Sequence, residues 1–140
     1  MKYICFFINL ATFFFPSSGF LQMLLPSRPP TASEAERILH LAKYNVFEGS
    51  WSNTRTIYVG EVLVGFYVVW RDYLHFLHIF KKYRRRGFGL TAVGFLTASV
   101  PNLYLHATPS ARVFWERCGF KTRDFSDRGC VEMRFQQQVN

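Results

Sequence analysis

The chain has 140 residues, enough for one domain that buries about two-thirds of the surface its unfolded form exposes. Its apolar content of 49% excludes a disordered chain, and its net charge of +8 points to an anionic ligand or partner without choosing among a phosphorylated cofactor, nucleic acid and lipid headgroups. Cys5, Cys118 and Cys130 have no paired spacing, so neither a disulfide framework nor a metal site is indicated.

Between Lys2 and Arg28 there is no charged residue. Tyr3–Phe15 resembles the apolar core of a signal peptide with Lys2 as its basic flank, while Pro16-Ser17-Ser18-Gly19 interrupts it too early for a good membrane span. Three readings fit residues 1–22: a strand or helix added to the domain, a membrane-seeking segment, or a non-native extension ahead of a fold that begins at Met23. Residues 23–140 form the domain proper. The expected location is the cytoplasm, with any membrane contact confined to residues 3–25.

Met23–Leu25 reads as a short strand, followed by a proline-rich turn over Pro26–Pro30. Thr31 or Ser33 caps a helix over Glu34–Lys43, whose apolar stripe is Ile38, Leu39, Leu41 and Ala42. Tyr44–Asn53 reads as a broken helix or loop. Thr56–Val59 and Val62–Trp70 are β-branched and aromatic runs joined at Gly60-Glu61, a hairpin signal, and Gly65 marks a bulge or a close backbone contact.

Leu74–Phe80 is the next strand. A helix over Leu90–Ala98 follows, with Ala92 and Gly94 forming a small-residue side that lies close against a sheet. Leu103–Ala107 is a further strand, and Ser110–Arg117 a compact helix with Val113 and Phe114 facing inward. That helix ends at Cys118-Gly119-Phe120, and a hairpin of Lys121–Phe125 and Val131–Phe135 closes the chain. The order predicts an α/β domain built on a mixed sheet.

Tyr83-Arg84-Arg85-Arg86-Gly87-Phe88-Gly89 links the central strand to the helix after it. Two glycines one residue apart admit a close ligand, and the helix start leaves unpaired N–H groups facing the same loop. Five of the seventeen basic residues fall within Lys81–Arg86. The stretch therefore reads as a seat for a phosphorylated ligand. No Lys-Ser/Thr follows the glycines, which excludes a P-loop, and the spacing does not fit a dinucleotide fold.

Three pieces in order resemble the GCN5-related N-acetyltransferase superfamily. Arg84-Arg85-Arg86-Gly87-Phe88-Gly89 is similar to that family's Arg/Gln-x-x-Gly-x-Gly/Ala signature. Ala111 to Phe120 looks like its Ala-x-x-aromatic-Tyr-x-x-x-Gly-Phe element, and Val64-Gly65-Phe66 matches its third strand. The match covers about Met23 to Phe135. The resemblance implies a mixed sheet splayed between the strands at Leu74–Phe80 and Leu103–Ala107, with acetyl-coenzyme A as cosubstrate held in the opening.

On that resemblance, N–H groups from Arg85 to Leu90, through Arg86, Gly87, Phe88 and Gly89, face the pyrophosphate, with Arg84 nearby and the Thr91 hydroxyl added. Backbone groups of Ile79 and Lys81 pair with the pantetheine arm, and an N–H near Ile79 polarises the thioester carbonyl. The proton sink for the acceptor amine is sought among Asp72, Tyr73, His75 and His78. Strand alternation puts Tyr73 and His75 on one face and His78 on the other, and Tyr73 and His75 are the expected catalytic pair; a bulge between the two histidines would invert this choice.

Two residues depart from the pattern. Trp115 stands where many members have a tyrosine that protonates the leaving thiolate, and Thr108 where asparagine is common, its hydroxyl a partial substitute in the cofactor site. The expected activity is acetyl transfer to a small-molecule or protein amine in a ternary complex, by a monomer or homodimer. The alternative is an acetyl-coenzyme A-binding module with little chemistry. Nucleic-acid binding is not expected, since no aromatic platform or recognition helix accompanies the basic run.

Overall fold

The computed structural model describes residues 22–42, 51–125 and 129–136, the Phe125 side chain apart. Its strands are β1 (Met23–Leu24), β2 (Thr54–Val59), β3 (Val62–Trp70), β4 (Tyr73–Ile79), β5 (Tyr104–Ala107), β6 (Phe120–Phe125) and β7 (Val131–Phe135). Its helices are α1 (Ala32–Ala42), α2 (Phe88–Ser99) and α3 (Arg112–Arg117). The segment 1–21, most of the stretch read as a loop (43–50) and most of the last hairpin turn (126–128) lie outside the described residues.

The strands form one mixed sheet in the order β1-β2-β3-β4-β5-β7-β6. Every neighbouring pair is antiparallel except β4 and β5, which run parallel and share a single register pair, Tyr73 with Tyr104. Beyond that pair the two strands part, so the sheet opens along the rest of β4.

Apolar side chains on both faces explain why β3 is central, with Leu63–Val68 buried throughout. On one face α2 packs Ala92, Val93, Phe95 and Leu96 against Val64, Leu74, Leu105 and Met133. On the other, Ile38 and Ala42 of α1 meet Leu63, Phe66, Val68 and Phe80. Thr31 is the residue that caps α1: its Oγ1 accepts the Glu34 N–H at 3.2 Å while Glu34 Oε1 accepts the Thr31 N–H at 2.8 Å. The buried Glu34 carboxylate also takes hydrogen bonds from both terminal nitrogens of Arg28, at 2.6 and 3.2 Å, and from the Tyr58 hydroxyl. This network ties the turn before α1, the helix start and β2 together.

Gly65 makes the close backbone contact that its place in the strand predicts. A Cβ there would lie 2.3 Å from the His78 carbonyl oxygen of β4. The β2–β3 register also slips beside it, leaving Val64 as the extra residue.

Three expectations need correction. Val113 and Phe114 do not face inward: they are exposed, and Trp115 and Cys118 pack on the core instead. A 3-10 turn at Pro109–Ala111 takes up the start of the expected helix, leaves α3 short and rotates which residues meet the sheet. Gly94 faces open space, so only Ala92 serves the close helix–sheet contact. The third concerns β4. Val68 pairs with Phe76 and Val69 with Leu74, so His75 is a bulged residue without a partner.

The bulge inverts the alternation. Leu74, Leu77 and Ile79 all face the α2 core. Phe76 and His78 pack with Phe66 on the α1 side, the face that Tyr73 also takes opposite Leu74.

The Gly65 contact yields the first test. Gly65→Ala forces a methyl group into the backbone of β4, and neither strand has room to yield. The expected loss is about 3 kcal/mol or more, read from the denaturant midpoint. An unchanged midpoint would contradict this strand contact.

Candidate active site

The basic glycine stretch folds as an extended exit from β4, a 3-10 turn at Lys81–Tyr83, and a sharp entry into α2. The helix begins at Phe88, two residues earlier than expected, with Gly87 as its N-cap at φ 80°. Glycine takes that left-handed conformation at little cost. Arg85 takes it too, at φ 64°, where a side chain is unfavourable by about 1 kcal/mol. Local strain of this kind gathers at ligand sites.

The first intrahelical bond is from the Thr91 N–H to the Gly87 carbonyl, at 3.0 Å. The first-turn N–H groups ahead of Thr91 therefore fall outside the helix's own ladder. The Thr91 hydroxyl donates to the same Gly87 carbonyl at 2.9 Å.

A cleft of about 670 Å³ lies where β4 meets this loop. Leu77 and Ile79 form its strand wall; Phe88, Gly89 and Leu90 form its helix wall; Ala111, Phe114 and Trp115 close the side toward α3. Its cations are Arg84, Arg85 and Arg117. The exposed Phe114 is accounted for here, since its ring borders the cleft and lies 3.5 Å from where a Gly89 Cβ would be.

An elongated phosphorylated ligand fits this cleft in chemistry. The first turn of α2 and guanidinium groups line it together with an apolar wall, and neither Gly87 nor Gly89 puts a side chain in the way. Arg84 holds a particular position in it. Its Nε donates to the Ile79 carbonyl at 2.8 Å, and Nη2 lies 3.5 Å from His78 Nε2.

The residues expected at the cofactor site do not all meet in this cleft. Ile79, Arg84, Arg85, Gly87, Phe88, Gly89 and Leu90 line it, whereas Arg86, Thr91 and Thr108 are not among its lining residues. Lys81 borders a second cleft on the α1 side of β4. Thr108 is exposed after β5, its hydroxyl 3.2 Å from that of Ser110. Arg117, named in the sequence only as the last residue of the Ser110–Arg117 helix, also lines the cleft.

The proton-handling candidates gather around Tyr73. Its ring meets His75 edge-on at 4.4 Å between centroids, and its hydroxyl lies 2.7 Å from His106 Nδ1. Burial raises the Tyr73 pKa, with Tyr104 and Cys130 adding to the effect. The phenol therefore holds its proton at neutral pH. His106, on β5, is the residue that sequence reasoning missed. The signal was present in Tyr104-Leu105-His106-Ala107, where alternation with buried Leu105 and Ala107 turns His106 to the face Tyr73 shares.

His78 lies among Phe66, Phe76 and Phe80, and burial, with the Arg84 charge second, holds its imidazole down to about 4. Cys118 packs on the core, and burial pushes its thiol up to about 11, which suits packing and not nucleophilic attack.

No protein-family profile and no curated protein sequence matches the chain. Solved structures do. An Arabidopsis thaliana Naa50 in complex with a bisubstrate analogue, CoA-Ac-MVNAL, aligns with a TM-score of 0.63 at 14% identity, over 82% of this chain and 99% of that one. A Bacillus cereus acetyltransferase of the GNAT family gives 0.62 at 12% identity, over 85% and 99%. The Neisseria gonorrhoeae N-acetylglutamate synthase, complexed with coenzyme A and L-arginine, gives 0.62 at 14% identity, over 84% of this chain and 34% of that one.

This chain has the GCN5-related N-acetyltransferase fold. The mixed sheet of that fold, opening between β4 and β5, is the frame the three sequence pieces imply. Within the N-acetyltransferase frame, the basic glycine loop caps the helix after β4, and the Ala111–Phe120 element forms the opposite wall of the cleft.

Two depressed pKa values set the acid response of this frame. The native state resists protonation of His78 down to about 4 from 6.5, and of Glu34 down to about 2 from 4.5, where the Arg28 hydrogen bonds are the largest cause. In both cases the unfolded chain binds the proton first, so stability is full above the unfolded value and declines below it. Denaturant stability should fall in two limbs, from pH 6.5 toward 4 and from pH 4.5 toward 2. His78→Gln should flatten the upper limb alone; an upper limb that survives this change contradicts the assignment.

Proposed function

We propose that the protein transfers an acetyl group from acetyl-coenzyme A to an amine by direct attack in a ternary complex. The observation that carries this reading is the cleft itself. It lies against the free edge of a splayed strand and is lined by the start of α2, which no side chain caps, and by three guanidinium groups.

Acetyl-coenzyme A supplies the activated acyl group. The helix N–H groups from Gly87 to Leu90, with Arg84, Arg85 and Arg117, hold the phosphates. Leu77 and Ile79 give the pantetheine arm an apolar edge of strand to follow. Arg84 leaves the Ile79 carbonyl and turns its charge to the phosphates, which frees that carbonyl for the arm.

Tyr73 and His106 manage the acceptor's proton. Tyr73 is too weak an acid to act as an anion, but it serves as a relay. Its oxygen accepts a proton from the amine while its own proton passes to His106 Nδ1, 2.7 Å away. His75 supports the Tyr73 ring from the bulge. A second reading, a coenzyme-binding module with little chemistry, is favoured by Trp115. Its indole lines the cleft and has no acidic proton to give a leaving thiolate.

The test pairs calorimetry with thiol release over an amine panel. Tyr73→Phe and His106→Ala should each lower turnover by roughly a hundredfold while leaving coenzyme A affinity intact. Gly87→Glu should abolish coenzyme binding, since it places a negative charge at the phosphate end and a side chain at φ 80°. Coenzyme binding without amine-dependent thiol release would favour the module over the enzyme. Coenzyme affinity unchanged in Gly87→Glu would overturn both readings.

A further inference from the structure

β4 has a second cleft on its other side. It measures about 540 Å³, with Leu41, Ala42 and Phe80 as an apolar floor and His78 as one wall. Lys81, Lys82 and Arg84 stand around it. The described ion pairs are Arg28–Glu34, Arg112–Glu116 and Arg134–Glu132, so none of the three cations is matched by a carboxylate among the described residues. Lys82 instead lies over the Tyr83 ring at 5.0 Å. An adjoining hollow along α1 carries Arg37 and His40 against a single carboxylate, Glu36.

This cleft and the Tyr73–His106 pair belong to the same face of the sheet, because the His75 bulge turns His78 to the side Tyr73 occupies. The coenzyme cleft lies on the opposite side, where Leu77 and Ile79 point, and only Arg84 borders both. With the bulged His75 adding no length to the ladder, at about 3.3 Å per strand residue Tyr73 and His78 are roughly 13 Å apart along β4. That is the reach of an extended peptide of about four residues, and more than a single amino acid spans.

We propose that the α1-side cleft binds acidic side chains of a peptide acceptor, three to five residues from the amine that meets Tyr73. The proposal rests on the acetyl-transfer reading for the direction of the peptide. Its apolar floor receives the methylene groups of glutamate, and Lys81 and Lys82, which stay on this side when Arg84 turns to the phosphates, receive the carboxylates. Such pairs are exposed, so the attraction weakens as salt rises.

Two synthetic pentapeptides with free amino termini and the same first two residues provide the test, one with glutamate and the other with glutamine at positions three to five. Binding is measured by calorimetry on protein saturated with coenzyme A, and thiol release is followed separately with acetyl-coenzyme A. The glutamate peptide should bind about tenfold tighter, as two exposed charge pairs would give. Lys82→Glu should remove that preference while leaving affinity for coenzyme A and for the glutamine peptide unchanged.

Equal affinity for the two peptides, a preference that survives Lys82→Glu, or displacement of coenzyme A by the acidic peptide would overturn the proposal. Selective binding without thiol release from either peptide would leave the acidic cleft standing and overturn acetyl transfer. Thiol release at equal rates from both peptides, without a binding preference, would do the reverse.

Discussion

The parallel contact between β4 and β5 is held by one register pair, Tyr73 with Tyr104, and by the Tyr104 N–H donating to the Asp72 carbonyl at 2.9 Å. The opening of the sheet follows from how short this contact is. A longer ladder would close the sheet and use up the edge of β4. Because the strands part, Leu77 and Ile79 border an open cleft and not a neighbour. The strands pair only at Tyr73 and Tyr104, and the same contact that starts the opening brings the Tyr73 phenol and the His106 imidazole within hydrogen-bond distance.

The His75 bulge governs which side chains face which ligand. With one unpaired residue, β4 keeps Leu74, Leu77 and Ile79 toward the α2 core while Tyr73, Phe76 and His78 face α1. One strand thereby separates an apolar, arginine-bordered cleft from a lysine-bordered one. Gly65 supports the arrangement from β3, since the His78 carbonyl passes so close that no side chain fits. Arg84 links the two sides, bonded to the Ile79 carbonyl and close to His78.

Local signals made much of this legible in the sequence. The β2–β3 hairpin follows from β-branched runs around Gly60. The loop at Gly87 follows from glycines between a strand and a helix, and the end of α3 follows from Gly119 at φ 95°. Features set by pairing between distant segments were not legible. Nothing in Tyr73–Phe80 marks His75 as the bulged residue, because the slip is a property of its register with β3. His106 was passed over because its partner lies 33 residues away on another strand. The inward face of α3 was misjudged because Pro109 starts a 3-10 turn that shortens and rotates it, and Phe114 is apolar for the cleft's sake and not the core's.

The central claim is that the cleft beside β4 holds coenzyme A through the uncapped start of α2, and that Arg84 gives up the Ile79 carbonyl when it does. A crystal structure of the coenzyme A complex tests this most directly. Pyrophosphate oxygens are expected within hydrogen-bond distance of N–H groups between Gly87 and Leu90, with the pantetheine arm along Leu77 and Ile79 and the Arg84 guanidinium on phosphate. Coenzyme bound elsewhere, or bound in this cleft with the Arg84–Ile79 hydrogen bond intact, would contradict it.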